Sequence, residues 1–298
     1  MSTVSYVGRF APSPTGPLHF GSLLAALASF LDARAHNGRW LLRIEDIDPP
    51  RDNPEARASF ARLLESFELY WDGEIRYQSQ RADAYHEALA QLERAKLTYR
   101  CTCSRKQIAM RTTSKVYDRY CLKMPPAPDA TAAIRLKTEA QFIHFKDLIQ
   151  GAQQYDLCKH SSDFILLRKD ALFSYQLAVV VDDADQGITH IVRGSDLLVP
   201  ETPRHIALQR ALGLASPQYA HIPVITNKEG QKLSKQTFAP ALGTEQRLQM
   251  LYRALEFLGH PPEQPVLSYT YSELLTWAID HWQIDKVPAT LSQYQPIS

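Results

Sequence analysis

The chain has 298 residues, 45% of them hydrophobic and 22% charged, enough for one sizeable core plus a smaller insertion and with no low-complexity run. A formal net charge of +1 excludes a globally basic polyanion binder, so any nucleic-acid surface must be a local patch. No basic stretch followed by an apolar run opens the chain, and no window approaches 18 uninterrupted apolar residues, which predicts neither a secretory signal nor a membrane span.

In chain order, Val4 to Val7 reads as a short strand followed by a loop from Gly8 to Gly16. The spacing of Leu23, Leu24, Leu27, Phe30 and Leu31 predicts a helix over Phe20 to Ala35. Trp40 to Ile44 reads as a buried strand that ends on the acidic cluster Glu45, Asp46 and Asp48, and two amphipathic helices follow over Pro54 to Tyr70 and Arg81 to Leu97. From Thr98 to about Ile149 the texture changes to clustered cysteines, Pro125, Pro126 and Pro128, and short strand-like runs, the mark of an inserted subdomain. A strand-rich return is expected over Asp163 to Arg168, Leu177 to Val181 and Ile188 to Val192, then a helix over Pro203 to Leu212 and a mainly helical tail from about Glu245 to Trp282. Strands alternating with helices in the first half predict an α/β fold with a parallel sheet and crossover helices.

Three segments carry chemistry. From Pro14 to Ser22 a strand-to-helix turn holds Gly16 and Gly21, where a ligand can approach the backbone, and the new helix offers free N–H groups to phosphate. His19 in that turn is placed to donate a hydrogen bond to a phosphate oxygen as charge grows on it. Near the other end, Lys232 and Lys235 flank Ser234 in a loop, two compact charges that suit one bound nucleotide. Each segment alone is weak, because turn chemistry explains the glycines and Lys/Ser loops are common. Third, Cys101, Cys103 and Cys121 supply three soft thiolates, one short of a tetrahedral zinc site; ligand preference nominates Cys158 or His160 as the fourth. Four cysteines are too few for a disulfide scaffold, and the cluster favours a reducing compartment, so a cytoplasmic location is expected.

Taken in order, the motifs resemble the glutamyl branch of the class I aminoacyl-tRNA synthetases. Arg9 to Ser22 is similar to that family's "HIGH" region and Lys232 to Gln236 to its "KMSKS" loop. Between them Arg43 to Arg51, Phe173 to Asp183 and Gly187 to Asp196 also match, so the likeness runs from about Tyr6 to Leu242. The resemblance implies a Rossmann-like catalytic domain with an inserted zinc-containing subdomain and a short helical C-terminal region. It divides the chain into residues 1–97 and 151–240 as the two catalytic halves, 98–150 as the insertion and 241–298 as the helical end. Carried over by motif, the glutamate pocket comprises Arg9, Phe10, Ala11, Pro12, Ser13, Glu45, Tyr175 and Arg193. The chemistry agrees: two guanidinium forks suit two carboxylates, Glu45 suits the ammonium and Tyr175 adds a phenol. ATP, with Mg²⁺, would lie against His19, Gly21, Ser22 and Lys235, with His19, Lys232 and Lys235 as catalytic groups.

The H-F-G-S and K-L-S-K-Q variants, the C-T-C-S pattern and the roughly sixty residues after Lys235 resemble the glutamyl-queuosine tRNA(Asp) synthetases, a shortened subfamily. In that subfamily a Y-x-x-x-C element completes a structural zinc site, which makes Tyr117 the fourth ligand here, with one zinc per chain. The likeness implies ATP-dependent activation of L-glutamate without tRNA, then esterification of queuosine in the anticodon stem-loop of tRNA(Asp), by a protein expected to be a monomer. The alternative is a truncated glutamyl-tRNA synthetase charging the 3′ end of tRNA(Glu). Asp170-Ala171 departs from the family's Asp-Gly, which alters a turn and leaves the chemistry intact. Arg51, Arg76, Arg81, Arg105, Lys106 and Lys115 are phosphate-contact candidates, although such charges are more often a solvated surface.

Overall fold

The first strand–helix–strand unit follows the apolar spacing. In the computed structural model, which describes residues 5–113, 116–139, 142–160, 162–227, 242 and 245–294, β1 (Val7–Phe10) leads into α1 (Phe20–Ala35). The next strand, β2 (Arg39–Ile44), returns parallel to β1, pairing Val7 with Arg39 and Phe10 with Leu42. The strand expected at Val4 to Val7 thus begins at Val7, and Gly8, expected in the loop, lies inside it. Tertiary hydrogen bonds decide this: β2 holds one edge, and on the other the Thr189 N–H donates to the Val7 carbonyl at 2.9 Å. Val4 lies outside the described residues.

Both amphipathic helices end earlier than their apolar pattern. α2 (Pro54–Ser66) stops where Glu68 takes a left-handed φ of 53°, and α3 (Ala82–Arg94) where Lys96 takes 58°. Between them β3 (Arg76–Tyr77) pairs with β2, so the first sheet runs β1-β2-β3, all parallel.

β4 (Thr98–Cys101), the short α4 (Arg105–Arg111) and α5 (Tyr120–Lys123), and β5 (Ala133–Leu136) follow. The hairpin of β6 (Phe142–Asp147) and β7 (Gly151–Asp156) comes next, then α6 (Leu157–His160) and β8 (Ile165–Leu167). Strands β4, β5 and β8 form a small antiparallel sheet, whereas the hairpin joins a different one.

The run Leu177 to Val181, expected as a strand, lies inside a helix, α7 (Tyr175–Asp185). Five consecutive buried apolar residues read as a strand because a short apolar run carries no period that separates the two structures. Here the run is buried all round because α7 packs against α3 on one side and against α8 (Glu201–Leu212) on the other. Ser174 starts the helix by accepting the Leu177 N–H at 3.3 Å.

β9 (His190–Gly194) precedes α8, and β10 (Gln218–Ile222) runs parallel to β9, giving a second sheet of order β7-β6-β10-β9. β11 (Val224–Thr226) pairs in parallel with β12 (Ser292–Tyr294) near the C-terminus. The tail contributes α9 (Arg247–Phe257) and α10 (Tyr271–His281), which close the main core over α1. They are separated at Gly259, whose φ is 79° and where an added Cβ would collide with the Lys286 carbonyl oxygen, leaving no room for a side chain. No helix among the described residues is long and apolar enough to cross a membrane.

Candidate active site

β1 and β9 are neighbours whose crossovers depart in opposite directions, β1 through α1 to β2 and β9 through α8 to β10. Where strand order reverses, the loops beyond the two carboxyl ends diverge and leave a crevice. Arg9 and Arg193 each sit one residue before the end of these strands, and both are buried, at 4% and 5% exposure. The sequence reading brought them together from opposite ends of the chain, and the fold sets them on adjacent strands.

Their partners differ. Arg9 Nε reaches the Asp183 carboxylate at 3.2 Å, and Arg43, one residue before the end of β2, meets the same oxygen at 2.7 Å. Burial alone would raise the Asp183 carboxyl, but Arg43 and then Arg9 overrule it and hold it below the usual range. The Nη nitrogens of Arg9 make no hydrogen bond to the described residues.

Arg193 is held by neutral groups alone. Nε donates to His221 Nε2 at 3.1 Å, Nη2 to Thr202 Oγ1 at 2.7 Å and to the Leu197 carbonyl at 3.3 Å, and Nη1 stands 3.4 Å from His205 Nδ1. His221 Nδ1 in turn donates to the buried Asp147 carboxylate at 2.6 Å. Burial lowers His221 to about 4 despite Asp147, and burial with Arg193 nearby holds His205 well below the ordinary imidazole range, so neither imidazole is charged. No carboxylate pairs with Arg193 among the described residues. A buried cation in that state is costly until an anion arrives.

Opposite it, Glu45 follows β2 directly, its N–H tied to the Pro12 carbonyl at 3.0 Å. Burial pushes its carboxyl up to about 7, and the guanidiniums of Arg43 and Arg9 together with the Ser13 hydroxyl, 3.3 Å away, only partly counter it. Tyr175, the first residue of α7, has its ring 5.4 Å from that of His205. Its phenol is raised by burial and then by Glu45, against Arg193 and Arg9, so all four groups share one electrostatic field. Ser13, Glu45 and Tyr175 line a cavity of about 760 Å³. Phe10 turns away into the core, stacked on Trp40 with centroids 6.4 Å apart, Pro12 is buried, and Ala11 is half-buried beside it.

His19 is the N-cap of α1, and its N–H donates to Ser22 Oγ at 3.4 Å. Its ring covers Gly21, where a Cβ would come within 3.1 Å of the imidazole, so glycine is what lets the ring lie over the first helical turn. The orphan N–H groups of that turn suit an anion. Lys232 and Lys235 lie outside the described residues, as does Lys115.

Tyr117 also lines the cavity, and clustered with it the sulfurs of Cys101, Cys103 and Cys121 lie within 4.8 Å of one another, Cys103 and Cys121 at 3.5 Å. A tetrahedral zinc with sulfur at about 2.3 Å separates its sulfurs by about 3.8 Å, so the cluster fits. The Tyr117 oxygen belongs to the same group: the Cys101 thiol donates to it at 3.4 Å and the Cys121 N–H at 2.9 Å. Cys158 instead donates to the Glu139 carbonyl at 3.3 Å and the His160 ring lies tilted against Tyr155, so the two ligands favoured by type alone are elsewhere.

Among the phosphate-contact candidates, Arg76 and Arg81 turn to the buried Asp182, at 3.8 and 3.2 Å, and Arg51 pairs with Asp48 at 2.6 Å. The sequence reading missed Arg43, Asp183, Asp147, His221 and Arg135 as individual residues. A single arginine inside the apolar run of β2, and two acids directly after that of α7, were the available signals for the first two.

The family model for tRNA synthetases class I (E and Q), catalytic domain, matches residues 6–262. A protein named glutamyl-Q tRNA(Asp) synthetase from Thiobacillus denitrificans is 51% identical over 292 residues, covering 97% of each chain. Proteins of the same name from Neisseria meningitidis serogroup B and Salmonella typhimurium are 50% and 48% identical, covering 95% and 97% of this chain and 97% and 96% of theirs. Among solved structures, a glutamate tRNA ligase from Elizabethkingia meningosepticum in complex with its amino acid superposes with a TM-score of 0.82. It shares 22% identity over 98% of this chain and 67% of that one, a likeness of fold.

Proposed function

Since the chain belongs to the class I tRNA synthetases of the E and Q family and is therefore a ligase, we propose that it activates L-glutamate with ATP and transfers it to queuosine at the wobble position of tRNA(Asp). The observation that carries the amino-acid half is the buried Arg193 guanidinium with only neutral partners, beside a Glu45 carboxyl that burial raises to about 7 even with Arg43 3.7 Å away. A free amino acid with one ammonium and two carboxylates answers both at once. Its ammonium would return Glu45 to the ionised state, its carboxylates would take Arg193 and the open Nη side of Arg9, and the Tyr175 phenol would add a hydrogen bond. Ala11, Pro12 and Ser13 would supply the backbone and hydroxyl rim beside Phe10.

In the first step an oxygen of the glutamate α-carboxylate bonds to the α-phosphorus of ATP and pyrophosphate leaves. His19, with Lys232 and Lys235, would stabilise the charge on phosphate, and Gly21 and Ser22 at the start of α1 would receive the nucleotide together with its Mg²⁺. In the second, a hydroxyl of the queuosine cyclopentene-diol attacks the acyl carbonyl, an ester forms and AMP leaves. The acceptor assignment is supported by relatives of about half identity that bear this name over nearly their whole length.

Cys101, Cys103, Cys121 and Tyr117 would hold one zinc, which when bound supplies a covalent cross-link to the small antiparallel sheet and, with four protein ligands, no open position for catalysis. The test is glutamate-dependent exchange of pyrophosphate into ATP, expected without any tRNA. A second arm asks for transfer to tRNA(Asp) with and without queuosine. Absence of exchange defeats the activation step, and equal glutamylation of queuosine-free tRNA(Asp), or charging of the tRNA(Glu) 3′ end, defeats the acceptor.

A further inference from the structure

The cavity continues past the residues that would face an amino acid, and its far end holds a cation without an anion. Arg135 lies on β5 directly across from Tyr99 of β4, in the same pairing that sets Ala133 opposite Cys101. Cross-strand partners share a face, and alternate residues share one too, so Arg135 stands on the side of the sheet that carries the thiols. It is 6% exposed, lines the cavity, and lies over the Tyr117 ring at 3.9 Å.

Its hydrogen bonds do not neutralise it. Nη1 donates to the Asp163 main-chain carbonyl at 2.7 Å, and the buried Nε has no partner. The Asp163 carboxylate, the near candidate, is already taken by the Tyr99 hydroxyl at 2.6 Å, by Thr138 and by Arg119 at 2.8 Å. The acids on the opposite wall are occupied as well: Asp46 and Asp52 both meet Arg57 at 3.2 Å, and Asp48 meets Arg51. No carboxylate pairs with Arg135 among the described residues. Arg105, exposed at the start of α4 and also on the cavity wall, has no ion pair among them either.

A guanidinium this deep is costly without an anion, and a phosphate offers both the charge and two acceptor oxygens. We propose that Arg135, stacked on Tyr117 and backed nearer solvent by Arg105, holds a backbone phosphate of the acceptor RNA as its reactive nucleotide enters the cavity. This rests on the reading above, in which the acceptor belongs to an anticodon loop. Unstacked single-stranded nucleotides are received in this way, with cations on the backbone and an aromatic or apolar wall for the base, here Phe173 and Ile165. Arg135 also ties the thiol cluster to the acceptor, because the same tyrosine oxygen that faces the sulfurs belongs to the ring beneath it.

The test is equilibrium binding of the queuosine-containing tRNA(Asp) anticodon stem-loop to the full-length protein across a salt series. Arg135→Met keeps the length and removes the charge; it should weaken binding about tenfold or more and lower the slope of log affinity against log salt by about one. Arg135→Lys should keep the slope and lose only part of the affinity. Melting temperature and metal content are measured on each variant. Wild-type affinity in R135M, or weaker binding with an unchanged slope, overturns the proposal. If R135M does not fold, R135K carries the test, and wild-type affinity there overturns it. Wild-type protein without glutamate-dependent exchange would sink the earlier reading instead, whatever the Arg135 variants bind.

Discussion

The buried arginines near Glu45 and Tyr175, at one end, and the thiols around Tyr117, at the other, are held in different ways. At the arginine end every group is set by the parallel core: β1 and β9 supply the guanidiniums, α7 supplies Asp183, and β6 and β10 supply the Asp147–His221 pair. At the thiol end the buried apolar cluster among the described residues is just Cys101, Tyr117 and Cys121, with Tyr99, Cys103 and Ile108 packed against it, while Leu136 and Leu166 of the antiparallel sheet belong to a larger core. So small a cluster buries little surface, and a metal is the ordinary substitute for a missing core. Precision at one end therefore comes from packing and hydrogen bonds, whereas the other end offers three thiols close enough to share one ion.

Variants separate the two. The largest effect on glutamate activation is expected at Arg193: Arg193→Met should lower kcat/KM for glutamate in pyrophosphate exchange about 10²–10³-fold, because one partner of a buried charge pair is removed. A loss of less than tenfold would mean that the glutamate carboxylate is bound elsewhere.

Glu45 gives the next test. With its carboxyl at about 7 in the free protein, kcat/KM for glutamate should rise about tenfold between pH 6 and 8, and Glu45→Gln should abolish this limb. The same shift has a sign for stability. The folded carboxyl binds its proton more tightly than the ordinary 4.5, so its contribution to the free protein's stability falls as pH rises from about 4.5 to about 7. A flat rate profile through that window would show that Glu45 is not the ammonium site.

His221→Gln probes the support beneath Arg193. A rise in KM for glutamate of about five- to tenfold, with a smaller change in kcat and an unaltered KM for ATP, is expected from a guanidinium that has lost its aim. Equal losses in all three would indicate general damage to β10.

The smallest effect on activation belongs to the thiol end. Cys103→Ser should release the metal and lower the melting temperature by several degrees, yet change exchange less than about threefold, since distant sites act independently. Full melting stability without bound metal would erase the contrast between the two ends.

How much of this was readable in advance depended on range. The helix over Phe20 to Ala35 and the pairing of Cys101 with Cys103 rest on residues close in sequence, and both appear as expected. Leu177 to Val181 did not, because an apolar run reports burial on all sides without saying whether sheet or helix provides it. Tyr117 and Arg135 are separated by a cluster of prolines, and nothing in the intervening residues indicates that one ring lies under the other's guanidinium.

Motif resemblance and residue chemistry nominated the arginines, the carboxylate, the thiols and the histidine of the turn before α1, since these are properties of side chains and of neighbours along the chain. Which charges remain unmet was settled by three-dimensional packing. Asp183 reaches Arg9 across 174 positions, Asp147 reaches His221 across 74, and Asp163 is filled by Arg119 before Arg135 can use it. Burial and the count of available partners exist only once the strands are side by side, and it is those two quantities that turn a surface-like arginine into a buried cation without a counter-charge.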